Sequence, residues 1–315
     1  MKLVRGLHNL KPDRQGCVAT IGNFDGVHLG HQSVFRHLME KGEALNLPTT
    51  VVTFEPQPRE FFQPDSAPAR LTRLREKLQA IGESGVQRVV VLEFNKRLAA
   101  MPAETFVREL LMEGLGTRFL SVGDDFRFGR GRKGDFDLLR RMGGEFGFEV
   151  ENMNTYKLDA DRVSSTRIRE LLTLGDLTAA AQCLGRPYRI CGRVIHGHKR
   201  GRTIGFPTLN VNMHRLVSPL HGVYAVKVDG LDPHGLPGVA NIGNRPMVEG
   251  DHRYRLEVHL FNFEREVYGK HVSVEFVRKL RDEQCFDSFE VLRQQIARDA
   301  EQAREILGVT EAGRE

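Results

Sequence analysis

The strongest constraint on this chain is a change of rhythm at Gly185-Arg186-Pro187. Before it, short β-branched apolar runs alternate with longer stretches whose apolar residues recur every three or four positions. That is the sequence form of successive βαβ units around a parallel sheet. Strands are expected over 17–21, 49–54, 89–94, 119–122 and 148–152, and helices over 30–45, 71–84, 103–115 and 135–146. In 103–115, Phe106, Val107, Leu110 and Leu111 share one face and the charges take the other. A further helix should start at Ser165 or Thr166, where hydroxyl residues precede Glu170 and Leu171. Beyond Pro187 come short strands, 189–195, 222–228, 238–242, 254–261 and 272–277, parted by turn sequences such as Asp232-Pro233-His234-Gly235 and Glu249-Gly250-Asp251. An antiparallel barrel or sandwich follows, with a helix over 288–307, carrying Phe289, Leu292, Ile296 and Ile306, packed against it. The expected organisation is an α/β domain over 1–185 and an antiparallel β domain over 186–315.

A length of 315 residues suits two domains, and 40% hydrophobic residues exclude a disordered chain. Cys17, Cys183, Cys191 and Cys285 are scattered and too few to staple a chain of this size, which fits reduced thiols in a cytoplasm. The N-terminal residues lack the apolar core of a signal peptide, and no run approaches the ~20 apolar residues of a membrane span. A net charge of +5, from 46 basic and 41 acidic residues, is too small to make the whole chain a nucleic-acid surface. Its placement matters more. No Asp or Glu lies between Asp176 and Asp229, whereas Arg186, Arg189, Arg193, Lys199, Arg200, Arg202, Arg215 and Lys227 all do. An interval without carboxylates removes a source of repulsion from a phosphate-bearing ligand.

Two segments carry chemistry. The first is Gly22-Asn-Phe-Asp-Gly-Val-His-Leu-Gly-His-Gln32, at the carboxyl end of the first expected strand in its half and running into a helix. Ligands of open α/β sheets bind at that edge, glycines let backbone approach phosphate, and a helix start offers free N–H groups. His28 and His31, three apart, share a helix face and could stabilise charge on an α-phosphate and a departing pyrophosphate. Alone, the pair reads sooner as a surface feature of a helix start than as a functional one. A zinc site would want three or four ligands, which no nearby spacing supplies. The second segment, Gly192 to Asn210, places Gly197, Gly201 and Gly205 in a basic loop whose amides can approach phosphate. It lacks the Walker A pattern, and by itself it reads as a solvated basic hairpin sooner than as a phosphate loop.

Gly22–Gln32 resembles the H-x-G-H signature of nucleotidyltransferases, in the form found in bacterial bifunctional riboflavin kinase/FAD synthetases. Thr53-Phe-Glu-Pro-Gln-Pro58, Val122-Gly-Asp-Asp-Phe-Arg-Phe-Gly129, Ser164-Ser-Thr-Arg-Ile-Arg-Glu170, Gly205-Phe-Pro-Thr-Leu-Asn210 and Asn241-Ile-Gly-Asn-Arg-Pro246 are similar to that family in the same order, so the resemblance covers nearly the whole chain. It implies a Rossmann-like nucleotidyltransferase domain followed by a riboflavin kinase barrel. Riboflavin and ATP would give FMN, and FMN with a second ATP would give FAD and pyrophosphate. Under the resemblance Gly22, Phe24, His28, His31, Asp125, Ser164, Ser165, Thr166 and Arg169 hold the first nucleotide. Phe54, Pro56, Pro58, Phe62 and Phe128 face the flavin, and Gly197, Gly201 and Gly205 approach the second nucleotide. Thr208 and Asn210 bind that nucleotide and ligate Mg²⁺, Glu257 accepts the proton of the flavin hydroxyl, and Phe286 covers the ring. Gln57 and Met247 stand where the family often has His and Thr, and no role is carried onto either. Partners would be riboflavin, FMN and ATP, with no nucleic acid or membrane, and the chain a monomer or weak homo-oligomer. A nucleic-acid-binding module and a catalytically idle flavin-binding protein are the two competing classes; turnover of riboflavin with ATP and Mg²⁺ separates them.

Overall fold

The structure, a computed structural model, describes the chain except for residues 12–14, 124, 154–155, 159–160, 198–204, 216, 245–253 and 310–315. Its residues form two compact units, Met1–Pro68 with Thr72–Ser164, and Ala69–Leu71 with Ser165–Glu315.

In the first unit, strands β1 (Lys2–Arg5), β2 (Cys17–Ile21), β3 (Thr49–Glu55), β4 (Arg88–Glu93), β5 (Thr117–Val122) and β6 (Glu149–Asn152) form one sheet in the order β1-β4-β3-β2-β5-β6. Every neighbouring pair is parallel. A small antiparallel pair, β7 (Lys157–Leu158) and β8 (Asp161–Arg162), follows. The helices are α1 (Leu29–Leu45), α2 (Pro58–Phe62), α3 (Leu74–Glu83), α4 (Lys96–Ala99), α5 (Ala103–Phe106) and α6 (Phe136–Phe146). β2 is buried along its whole length, as a central parallel strand covered on both faces must be. It pairs β3 on one side and β5 on the other, so the connections diverge there and open a crevice at the carboxyl ends.

Sequence periodicity located β2 to β6 within a residue or two and missed β1. That edge strand has only Leu3 and Val4 as apolar residues and is mostly exposed. The helix expected over 103–115 is α only at α5; Val107–Gly114 continues it in π form. α6 starts where the carboxylate of Asp135 accepts from Leu138 N at 2.9 Å and ends at Gly147 with φ of 79°.

The second unit begins with α7 (Ser165–Leu174) and α8 (Leu177–Leu184), the latter unforeseen. Strands β9 (Arg189–Ile195), β10 (Leu209–Asn212), β11 (Gly222–Asp229), β12 (Leu236–Asn244), β13 (Tyr254–Leu260) and β14 (His271–Arg281) close a barrel in the order β10-β13-β12-β11-β14-β9. The open choice between barrel and sandwich is thereby resolved. β10 was not foreseen, because Asn210 and Asn212 break its apolar pattern and only its ladders with β9 and β13 make it a strand. α9 (Phe289–Leu307) packs Ala300 and Ala303 against Val223, Ala225, Val239 and Phe261.

An ion pair fastens α9 to the barrel. Arg281 Nη2 donates to Asp299 Oδ2 at 2.7 Å and its Nε to both carboxylate oxygens at 3.0 and 3.1 Å, while Gln295 Nε2 adds a bond of 2.9 Å. The side chains are 17% and 5% exposed, so removing one partner strands a charge out of water. Asp299→Ala should therefore destabilise the barrel unit by about 3 kcal/mol, read by urea unfolding followed by circular dichroism.

Candidate functional site

In the first unit the segment from Gly22 to His28 leaves β2 at its carboxyl end. Phe24 and Val27 adopt φ of 47° and 44°, a left-handed conformation that bulky residues rarely take. Burial of both side chains in one apolar cluster with Phe35 holds it. Asp25 pins the same loop: its Oδ1 accepts from Thr72 N at 2.9 Å and Thr72 Oγ1 at 3.1 Å, and Gly26 N donates to that hydroxyl at 2.9 Å. Sequence reasoning missed this pair, whose members lie 47 positions apart.

His28 is the N-cap of α1, and its Nδ1 accepts from His31 N at 3.4 Å. With Nδ1 the acceptor, the proton of a neutral ring sits on Nε2. The two imidazoles stack at 3.5 Å, and the Phe24 ring meets His31 edge-on at 5.2 Å. Phe24, expected at the nucleotide, is thus a buried support of His31. Gly22 and Gly30 are needed for space: a Cβ would stand 3.0 Å from the Phe24 ring at the first and 3.1 Å from the His28 ring at the second.

The expected flavin residues gather around an aromatic group larger than the motif showed. Phe54, at the end of β3, packs on Phe94 at 5.8 Å, and Phe61 and Phe62 pack on the same ring at 5.5 and 5.6 Å. Phe62 is 62% exposed and offers the open face. Pro56 follows a cis peptide from Glu55, and Pro58 opens α2. Gln57 lies between them, buried; its backbone N donates to Glu60 Oε2 at 2.8 Å, and its Nε2 finds no partner among the described residues. Phe128 is buried between Phe106 and Phe126, 5.4 Å from each, so the more accessible ring there is Phe126. Asp125 is exposed, 3.8 Å from Arg162.

Ser164 ends the first unit, and Ser165 and Thr166 open α7 in the second. Arg169 Nε donates to the Ala69 carbonyl at 2.6 Å, within that second unit.

The barrel unit carries two cavities. One, of about 410 Å³, is lined by Phe206, Thr208, Asn241, Glu257, His259 and Phe286 among others. The other, of about 440 Å³, is lined by Gly197, Pro207, Thr208, Asn210, Phe263 and Tyr268 among others. Thr208 borders both, so the short segment from Phe206 to Thr208 is their partition. Glu257 faces the first cavity from β13, where Leu256, Val258 and Leu260 point into the barrel and the alternate residues point away. Strand register sets Asn210 on one side of Glu257 and Asn241 on the other, a polar row across β10, β13 and β12. Gly197 stands so close to the Asn210 carboxamide that a Cβ would overlap it. Gly205 takes φ of 84° just ahead of the partition. Arg281 Cζ lies 5.6 Å over the Phe286 ring. Gly201, the basic residues Lys199, Arg200 and Arg202, and Met247 lie outside the described residues.

Thr208 and Asn210 offer only neutral oxygens, and among the described residues no group of three or more His, Cys, Asp or Glu could hold a metal. Such a donor set fits a cation that arrives with the phosphates which balance its charge, as Mg²⁺ does.

A family model described as FAD synthetase matches residues 10–167, and one described as riboflavin kinase matches residues 184–307. The bifunctional riboflavin kinase/FMN adenylyltransferase of Escherichia coli (strain K12) is 52% identical over 311 residues, covering 98% of this chain and 99% of that protein. The protein of the same description from Haemophilus influenzae is 51% identical over 304 residues, covering 96% and 98%. A crystal structure described as a macrolide-efflux protein from Streptococcus pneumoniae superposes with a TM-score of 0.78 at 28% identity, covering 96% of this chain and 99% of that one. No helix among the described residues is long and apolar enough to cross a membrane. With both domain models in sequence order and relatives matched from end to end, the chain belongs to the bifunctional riboflavin kinase/FMN adenylyltransferase family.

Proposed function

We propose that residues 186–315 phosphorylate riboflavin and residues 1–185 adenylylate the FMN so formed. The observation that carries the kinase half is Thr208 on the common wall of two cavities, with Glu257 on one side and Asn210 on the other. Riboflavin occupies the cavity lined by Glu257 and Phe286, and ATP the cavity lined by Gly197 and Asn210. The terminal ribityl hydroxyl attacks the γ-phosphorus, Glu257 takes its proton, and ADP departs. Mg²⁺, when bound, would supply positive charge to offset that of the ATP phosphates, and Thr208 and Asn210 would hold it. Asn210 keeps its place because Gly197 has no side chain, and Gly205 bends the backbone into the partition.

In the adenylyltransferase half, a phosphate oxygen of FMN attacks the α-phosphorus of ATP and pyrophosphate leaves. No proton need leave the nucleophile, so donors to the developing charge are sufficient. His28 and the stacked His31 are those donors, with Ser164 on the triphosphate and Gly22 leaving the backbone bare. Phe54 and Phe62, with Pro56 and Pro58, wall the flavin. The chain works in the cytoplasm as a monomer or weak homo-oligomer; four cysteines without a disulfide agree with a reducing compartment.

Glu257→Gln is expected to lower riboflavin phosphorylation by about 10² or more while leaving adenylylation of supplied FMN within twofold. Chromatography of flavin products checks both rates, and equal loss of the two would remove Glu257 from its role. His28→Ala with His31→Ala should do the reverse: FMN accumulates, and FAD formation drops by about 10²–10³. The boundary is tested with fragments 165–315 and 186–315, both expected to phosphorylate riboflavin without making FAD. If only the longer one is active, α8, which packs on β14, belongs to the kinase.

A further inference from the structure

His259 lies two residues beyond Glu257 on the same outward face of β13 and lines the same cavity. Neither its spacing nor its strand pattern marks it from sequence. In the structure its Nδ1 stands 2.8 Å from the Pro207 carbonyl oxygen. A carbonyl only accepts, so Nδ1 carries the hydrogen and donates it. Pro207 has no N–H, so its carbonyl is the one backbone group through which this residue can be held by a hydrogen bond. Orienting that carbonyl orients the peptide plane leading into Thr208. The Thr208 position falls opposite His259, one step ahead of the Leu209–Val258 pairing where the ladder begins.

The imidazole is itself held on two sides. Phe206 meets it edge-on at 5.3 Å and Phe261 at 5.9 Å, with Arg304 Cζ 4.2 Å over the Phe261 ring. Burial pushes the His259 pKa down; the bond to Pro207 opposes this and the nearby Arg304 charge reinforces it. The net direction is downward, so the ring is neutral at pH 7, with one donor already committed to Pro207.

We propose that His259 is a positioning residue of the phosphoryl-transfer site, which through the Pro207 carbonyl sets Thr208 on the partition between the flavin and nucleotide cavities. The proposal rests on the reading of Thr208 as a ligand of the ATP-bound cation. It concerns geometry in the transition state, so its mark is a change in turnover with little change in riboflavin binding.

The test uses the full chain. In His259→Asn the side-chain amide can place its N–H where Nδ1 was; in His259→Gln the donor falls about one bond further out, near the Nε2 position. The Gln variant should lose about tenfold or more in kcat for riboflavin phosphorylation, with the riboflavin KM within about twofold, and the Asn variant should recover most of that loss. ADP titrated calorimetrically in the presence of Mg²⁺ should bind more weakly to the Gln variant than to the Asn variant, and without Mg²⁺ equally to both. Adenylylation of supplied FMN serves as the folding control. Thr208→Ala, alone and combined with His259→Gln, completes a cycle in which the two losses should not multiply. Equal kcat in the Asn and Gln variants, or multiplying losses, would overturn the proposal. Full kinase activity in Thr208→Ala would overturn the reading of Thr208 and the proposal with it, whereas a dead Thr208→Ala beside a fully active His259→Gln would overturn the proposal alone.

Discussion

Strand register in the barrel is the constraint on which the kinase half depends. Along β13 the residues alternate between the barrel core and the face under α9. A slip of one residue would drive Glu257 and His259 into the core and expose Leu256, Val258 and Leu260, at a cost no marginally stable domain could bear. The same register brings Asn210 and Asn241 to either side of Glu257. Apolar burial inside the barrel thus fixes where the polar row falls outside it. α9 completes the arrangement: its buried alanines let it lie close against β11 and β12, and the Arg281–Asp299 pair fixes its angle beside the cavity lined by Glu257.

The nucleotidyltransferase half meets the same need by a different device. There a strained loop, not a ladder, presents the histidine pair. Phe24 and Val27 hold left-handed backbone because their side chains are buried, and Asp25 with Thr72 ties the loop down. His28 then uses its Nδ1 to cap α1. A rigid loop costs nothing to reorganise when charge develops, which is where electrostatic catalysis gains most.

Much of this was legible in the sequence. Periodicity drew the parallel sheet and the later run of antiparallel strands, and ordered motifs marked the histidine pair and the partition segment, while the two compact units divide at Ser164, ahead of the change of rhythm at Gly185. What escaped detection has physical causes. β1 and β10 are strands only because neighbours pair with them, and Asn210 and Asn212 carry no apolar signal. Thr72, His259 and Phe94 act through contacts between residues far apart in the chain, which local patterns do not encode. Phe24 and Phe128 sit inside the motifs, yet burial makes them supports of the loops around them. The mild basicity likewise resolves into one acid-free interval, part of which lines a cavity of the barrel unit through Gly197 and the segment 207–210.

The central claim is that one chain performs two chemically distinct phosphorus transfers in sequence, and the fate of isotopic label from ATP tests it most directly. The protein is incubated with riboflavin, Mg²⁺ and ATP labelled either on the γ- or on the α-phosphorus, and the flavins are separated. Label from the γ-position is expected in FMN and then in FAD, and label from the α-position in FAD alone. Label from the α-position in FMN, or FAD that carries no γ-label when riboflavin is the sole flavin supplied, would contradict it.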